Sequence, residues 1–190
     1  MKTPKLLILL CTVMTLSGCG SFLSSIQSEP IEDDPGERTY GARVEDESIE
    51  TKGEVNISAA SQALKDSHIN VTSYNGYVLI VGQVPDAAAK QLASEVIRKI
   101  RGVRRIYNEL EIAGNSSAMT RSSDTWLTTK VKSSLLASSE IEGNRVKVIT
   151  ENGVVYLMGL VSQPEAARIT DAARSSQGVQ KVVELFELFD

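Results

Sequence analysis

The chain is poor in the side chains from which most active sites are built. It holds two cysteines, Cys11 and Cys19, and one histidine, His68. Both cysteines precede residue 20, so the rest of the chain can form no disulfide, no cysteine metal site and no cysteine nucleophile. A Ser-His-Asp triad would have to use His68, which stands at the entrance of a hairpin and reads as a surface residue. The sequence contains no glycine-rich phosphate loop, no H-E-x-x-H, no nucleophile elbow and no carboxylate pair on opposed elements. Catalysis is therefore not expected and no cofactor is required, although an aspartate-based metal site stays open. Positive charge is also scarce. The net charge is −4, which argues against nucleic acid as a partner. Finally, no apolar run reaches the roughly 20 residues that a membrane-spanning helix needs.

The one apolar run that exists is short and lies at the start. Lys2 and Lys5 precede the apolar stretch Leu6 to Leu16, and small residues follow, which is the layout of a secretory signal. The string Leu16-Ser17-Gly18-Cys19 resembles a bacterial lipobox, the alternative being a plain signal peptide with a chance cysteine. Residues 1–18 are then a lipoprotein signal peptide, and Cys19 is the lipidated first residue of the mature chain. Several acyl chains at about 0.8 kcal/mol per buried CH₂ make such an anchor effectively permanent. Cys19 is followed by Gly20 and Ser21, not by an aspartate resembling an inner-membrane retention signal. In a Gram-negative cell this resemblance implies the periplasmic leaflet of the outer membrane. Residues 19–46 read as the lipidated cysteine and a flexible acidic tether, with Glu29, Glu32, Asp33, Asp34 and Glu37 crowded together.

One stretch then occurs twice. Ile69 to Gly82 reads I-N-V-T-S-Y-N-G-Y-V-L-I-V-G, and Val146 to Gly159 reads V-K-V-I-T-E-N-G-V-V-Y-L-M-G. Asn75-Gly76 and Asn152-Gly153 sit between runs rich in aliphatic residues, the strongest short signal for a hairpin with a type I′ turn. The offset is 77 for both glycine pairs, since 153 − 76 = 159 − 82 = 77. A duplicated small domain follows.

Each copy repeats one order of elements. Ile49, Gly53, Ile57 and Leu64 mark a leading helix from about Glu47, which Gly53 weakens by roughly 1 kcal/mol relative to alanine. The hairpin follows as Ile69 to Tyr74 and Tyr77 to Val84. A helix opens at Pro85-Asp86 and runs to about Arg101, Gly102 ends it, and Val103 to Ile112 is a third strand. Residues 114–123 are a linker by composition. In the second copy Asp124 is expected to cap a helix carrying Leu127, Val131 and Leu135. Strands follow at about Arg145 to Thr150 and Val154 to Val161. Ser162-Gln163-Pro164-Glu165 is a capping box, Gly178 stops the helix, and Val179 to Phe189 is the last strand. The fold class is thus α+β, with two domains (47–113 and 124–190) of order α-β-β-α-β. Each has a three-stranded mixed sheet packed against two helices. The other sheet face must be polar, packed on the sister domain, or used for binding.

The helix, the Asn-Gly hairpin ending in glycine, the second helix and the strands opened by Gly102-Val103-Arg104-Arg105-Ile106 and Gly178-Val179-Gln180-Lys181-Val182 resemble the BON domain. With the lipobox and the string Asp124-Thr125-Trp126-Leu127-Thr128-Thr129-Lys130-Val131, the chain is similar to dual-BON outer-membrane lipoproteins. That resemblance implies binding of anionic phospholipids, such as phosphatidylglycerol and cardiolipin, through the leading helix of the second domain. It also implies a part in outer-membrane integrity and no enzymatic activity. The residues support the same helix independently. Trp126, the only tryptophan, lies off the core stripe beside Lys130, with Ser133 on its side and Leu136 near its edge. An aromatic ring at headgroup level beside a lysine suits a membrane interface. The lipid-binding set expected is Trp126, Leu127, Lys130, Val131, Ser133 and Leu136, the alternative for Trp126 being packing against the first domain. Arg98, Lys99, Arg101, Arg104 and Arg105 form a second candidate contact for anionic groups, or a solvated helix end. The competing function is a periplasmic adaptor. Its uncovered sheet faces or edge strands would bind an envelope protein, such as outer-membrane assembly machinery, or peptidoglycan.

Overall fold

A computed structural model describes residues 34–189. The signal peptide and Cys19 lie outside the described residues. The first repeat opens with α1 (Tyr40–Ala60), where the Thr39 hydroxyl accepts from the Ala42 amide at 3.1 Å, and one further turn, α2 (Gln62–Lys65). β1 (His68–Tyr74) and β2 (Tyr77–Val84) pair antiparallel through the Asn-Gly turn. Asn75 and Gly76 have φ of 51° and 75°, the two left-handed residues that a type I′ turn requires. The helix α3 (Ala87–Arg98), capped by Asp86, returns the chain so that β3 (Arg105–Asn108) and β4 (Glu111–Ile112) run parallel to β2. Tyr77 faces Arg105 and Gln83 faces Glu111 in one unbroken register, so β3 and β4 are one strand interrupted at Glu109 and Leu110.

The second repeat follows suit. Its elements are α4 (Ala118–Ala137), a 3₁₀ turn (Gly143–Arg145), β5 (Lys147–Glu151), β6 (Val154–Met158), β7 (Leu160–Val161), α5 (Gln163–Arg174), β8 (Lys181–Glu184) and β9 (Glu187–Leu188). β5 is antiparallel to β6, and β8 and β9 run parallel to β6 and β7. The expected capping box is present: the Ser162 amide donates to Glu165 Oε2 at 2.8 Å.

Both leading helices start earlier than their apolar patterns suggest. α1 begins at Tyr40, so residues assigned to the tether are helical and Asp46 is buried. α4 begins at Ala118 with Ser117 as its cap, its hydroxyl accepting from the Thr120 amide at 3.1 Å, so the end of the linker is helical too. Asp124 is not a cap. Its carboxylate points inward to another partner, as does that of Asp46.

Strand alternation divides the core. Val78, Ile80 and Val84 of β2 face α1 and α3, where Ile49, Ile57, Ala93 and Ile97 complete one cluster. Val155, Leu157 and Val161 likewise meet Leu127, Val131, Leu135, Ile169 and Ala173 of α4 and α5. The intervening side chains point the other way and meet each other: Tyr74, Leu79 and Val81 from the first sheet bury against Ile149, Tyr156, Met158 and Leu185 from the second. The two sheets therefore pack face to face, with helices on both outer sides. Pro35–Asp190 forms one compact unit, and the sheet faces offered to an adaptor's partner are closed.

Gly53 does not interrupt α1. A Cβ there would lie 2.8 Å from Ile97 Cδ1 and 2.9 Å from Val71 Cγ1. The helix sits close on β1 and α3, and only a residue without a side chain fits the contact.

Candidate functional site

The outward face of α4 is set by what its inward face grips. Asp124 accepts from the Asn152 amide through Oδ2 and from the Gly153 amide through Oδ1, both at 2.9 Å. Leu127, Val131 and Leu135 continue the same side into the core. At about 100° per residue, Trp126 lies roughly 200° round the helix from Asp124 and must face solvent. It does, at 61% exposure, so it does not pack against the first domain. Lys130 Nζ stands 5.0 Å from the Trp126 ring centroid and donates to the Gln177 carbonyl at 2.9 Å, which holds ammonium and ring together. Ser133 is exposed and Leu136 is 56% exposed. Met119, exposed two turns before Trp126, extends this face and was missed because its segment read as linker.

Leu127 and Val131 correct the expected set. They are 4% and 0% exposed, inside the second core, and shape the site only by holding the helix on its sheet. The face is free of exposed carboxylates, since Asp124, the one acidic residue of Ala118–Ala137, is buried; Arg121, Lys130 and Lys132 are the cations. Lys132 turns inward to the Gly143 and Val146 carbonyls at 2.7 and 2.5 Å, and burial pushes its ammonium pKa down.

The second basic group divides. Arg98, Lys99 and Arg101 are exposed at the end of α3. Arg104 is committed elsewhere: its guanidinium donates to both Glu187 oxygens, at 2.9 and 2.6 Å, and to the Asn75 carbonyl at 3.0 Å. Arg105 lies 5.1 Å from the Tyr77 ring centroid and donates to the Tyr107 hydroxyl at 3.2 Å.

The first copy repeats the turn grip with more partners. Asp46 Oδ1 accepts from Ser73 Oγ at 2.6 Å and the Gly76 amide at 2.9 Å, and Oδ2 from Arg38 at 2.6 Å and the Asn75 amide at 2.7 Å. Burial alone raises the pKa of this carboxyl, but the bonds from Ser73, Gly76, Asn75 and Arg38 outweigh it and hold the pKa below the usual range. Asp46 and Asp124 are separated by 124 − 46 = 78 residues, the offset that also relates Ile49 to Leu127. That shared spacing was the signal from which the pair could have been read.

The copies also hold each other reciprocally. Asn75 Nδ2 donates to Glu187 Oε2 at 2.7 Å, and Asn152 Nδ2 donates to Glu111 Oε2 at 2.9 Å. Each hairpin turn thus reaches the third strand of the other domain, as an isologous two-fold contact does. Between these latches the buried Gln83 donates to Glu151 Oε1 at 2.7 Å and accepts from the Ser116 amide at 2.9 Å, joining both domains to the linker. Among the described residues no group of three or more His, Cys, Asp or Glu could hold a metal ion, and no helix is long and apolar enough to cross a membrane.

Comparison with known proteins agrees with this architecture. The BON domain family profile matches residues 45–114 and 123–188. The chain is 36% identical to the outer membrane lipoprotein DolP of Haemophilus influenzae over 193 aligned positions, covering 98% of this chain and 96% of that protein. It is 40% identical to the 21 kDa hemolysin of Actinobacillus pleuropneumoniae, covering 78% of this chain and 76% of the relative. To the osmotically-inducible protein Y of Escherichia coli it is 31% identical, covering 63% and 61%. None of these relatives carries an enzyme's name. With two BON copies, and a relative of that kind matched almost end to end, the chain belongs to the BON-domain family as an outer-membrane lipoprotein of the DolP type.

Proposed function

We propose that the protein is held on the periplasmic leaflet of the outer membrane by acylated Cys19. There it binds anionic phospholipid, phosphatidylglycerol or cardiolipin, with the outward face of α4, and so supports outer-membrane integrity. The observation that carries this reading is Trp126: the only tryptophan stands exposed beside a lysine on a helix whose other side is locked into the core. Trp126 and Leu136 supply the interfacial apolar surface, Lys130 meets a phosphate, and Ser133 accepts or donates at headgroup level. Basic residues near an anionic surface contribute about 1 kcal/mol each, and α4 itself presents no exposed carboxylate against them. The mechanism is localisation by two signals, a covalent lipid and a headgroup-reading face, without turnover. Arg98, Lys99 and Arg101 offer a second and weaker contact.

The test is flotation of the mature chain, carrying Cys19→Ser, with vesicles of phosphatidylglycerol and of phosphatidylcholine. Binding should require phosphatidylglycerol, be lost in Trp126→Glu and be weakened in Lys130→Glu. Unchanged flotation of a folded Trp126→Glu protein would overturn the assignment. Indifference to vesicles, together with cross-linking to an envelope protein in cells, would favour the adaptor instead, working through strand edges.

A further inference from the structure

The two Asn-Gly turns carry a chemistry that the lipid reading does not use. In an Asn-Gly pair the glycine nitrogen can attack the asparagine Cγ: a new C–N bond forms, the Cγ–Nδ2 bond breaks and ammonia leaves. Water then opens the succinimide to aspartate or isoaspartate. The fold holds both reacting groups. The Gly153 amide is buried with its proton donated to Asp124 Oδ1 at 2.9 Å, and the Asn152 Nδ2 leaving group is bonded to Glu111 Oε2 at 2.9 Å. Asn75-Gly76 is held the same way, by Asp46 at 2.9 Å and Glu187 at 2.7 Å.

The two sites differ in what would surround the product. Arg104 already bonds both Glu187 and the Asn75 carbonyl, so a carboxylate at position 75 would meet a cation. Among the described residues no lysine or arginine forms an ion pair with Glu111. A carboxylate at position 152 would replace a donor with a like charge beside Glu111.

We propose that Asn152 is a latent deamidation site, restrained in the closed sandwich by Asp124 and Glu111, whose conversion to aspartate breaks the latch between the two domains. The reaction then needs the turn to open first, so its rate follows the open fraction.

The test compares the mature Cys19→Ser chain, folded and in urea, at mildly alkaline pH, with deamidation at each turn read by peptide mass spectrometry. Folded protein should react about tenfold more slowly or slower still, by the open fraction of the turn; equal rates would overturn the restraint. Asp124→Asn should raise the rate at Asn152 and leave Asn75 unchanged, whereas no change at Asn152 would overturn the restraint by Asp124. If that variant does not fold, the comparison of folded and unfolded parent decides alone. Asn152→Asp should lower the Tm more than Asn75→Asp, since aspartate tolerates the left-handed turn as asparagine does. Equal or reversed shifts would overturn the effect on the latch.

Discussion

At the scale of single residues the strongest device is the buried aspartate that holds each hairpin turn. Asp46 takes four hydrogen bonds, from a hydroxyl, two amides and a guanidinium. Removing a buried acceptor leaves its donors unpaired, so Asp46→Ala should cost about 2–4 kcal/mol, read as the shift in urea midpoint. Because those bonds hold its pKa below the usual value, its contribution is present above the ordinary aspartate range and is lost as pH falls through the depressed folded value. The stability gap between parent and Asp46→Asn should therefore narrow at acid pH. Tyr156 works in the opposite direction. Burial, and then Glu109, Glu111 and Glu151, push its phenol up to about 12. That contribution is intact below the ordinary tyrosine value near 10 and disappears as pH climbs toward the folded one. Tyr156→Phe should lose stability less steeply than the parent across that alkaline window, as measured by Tm against pH.

At the scale of elements the two leading helices solve one problem with different side chains. Val131 packs its side chain into the second core, whereas at the matching place in α1 Val71 and Ile97 already fill the space beside Gly53. Gly53→Ala should gain about 1 kcal/mol in helix propensity, yet force its methyl to within 2.8 Å of Ile97 Cδ1. Overpacking of about 1–3 kcal/mol wins, and the variant should be less stable by denaturant unfolding. The same helices show why primary structure misplaced their beginnings. An apolar pattern reports only the turns that touch the core, whereas Thr39 and Ser117 cap an earlier, solvent-exposed turn in each.

At the scale of the whole molecule, apolar burial holds the domains together more than charge does. Leu79 and Met158 are fully buried between the sheets, and each such side chain contributes about 1.5–3 kcal/mol. Arg104, half exposed, pairs with the more covered Glu187, and a pair with one partner in solvent contributes about 1 kcal/mol and is screened by salt. Leu79→Ala should therefore cost about 2–5 kcal/mol, Arg104→Ala about 1 kcal/mol or less, and only the second difference should shrink at high salt. Calorimetry should show one transition for both domains. Two separate transitions would contradict a shared core.

Much of this protein was legible in the amino-acid sequence. The repeated Asn-Gly turns, strand alternation and glycine stops are local signals, because a left-handed turn or a period of two depends on a few adjacent residues. They were enough for two α-β-β-α-β copies and for placing Trp126 off the core stripe. Tertiary structure decided the rest. Residues far apart in the chain meet only when the sheets pack, so no local pattern marked the pairing of Asn152 with Glu111, of Asn75 with Glu187, or of Gln83 with Glu151. It also removed Leu127 and Val131 from the lipid-binding set and gave Arg104 to the domain interface. A side chain's period says which face of a helix it shares, but the packing of that helix decides which face is left to the solvent.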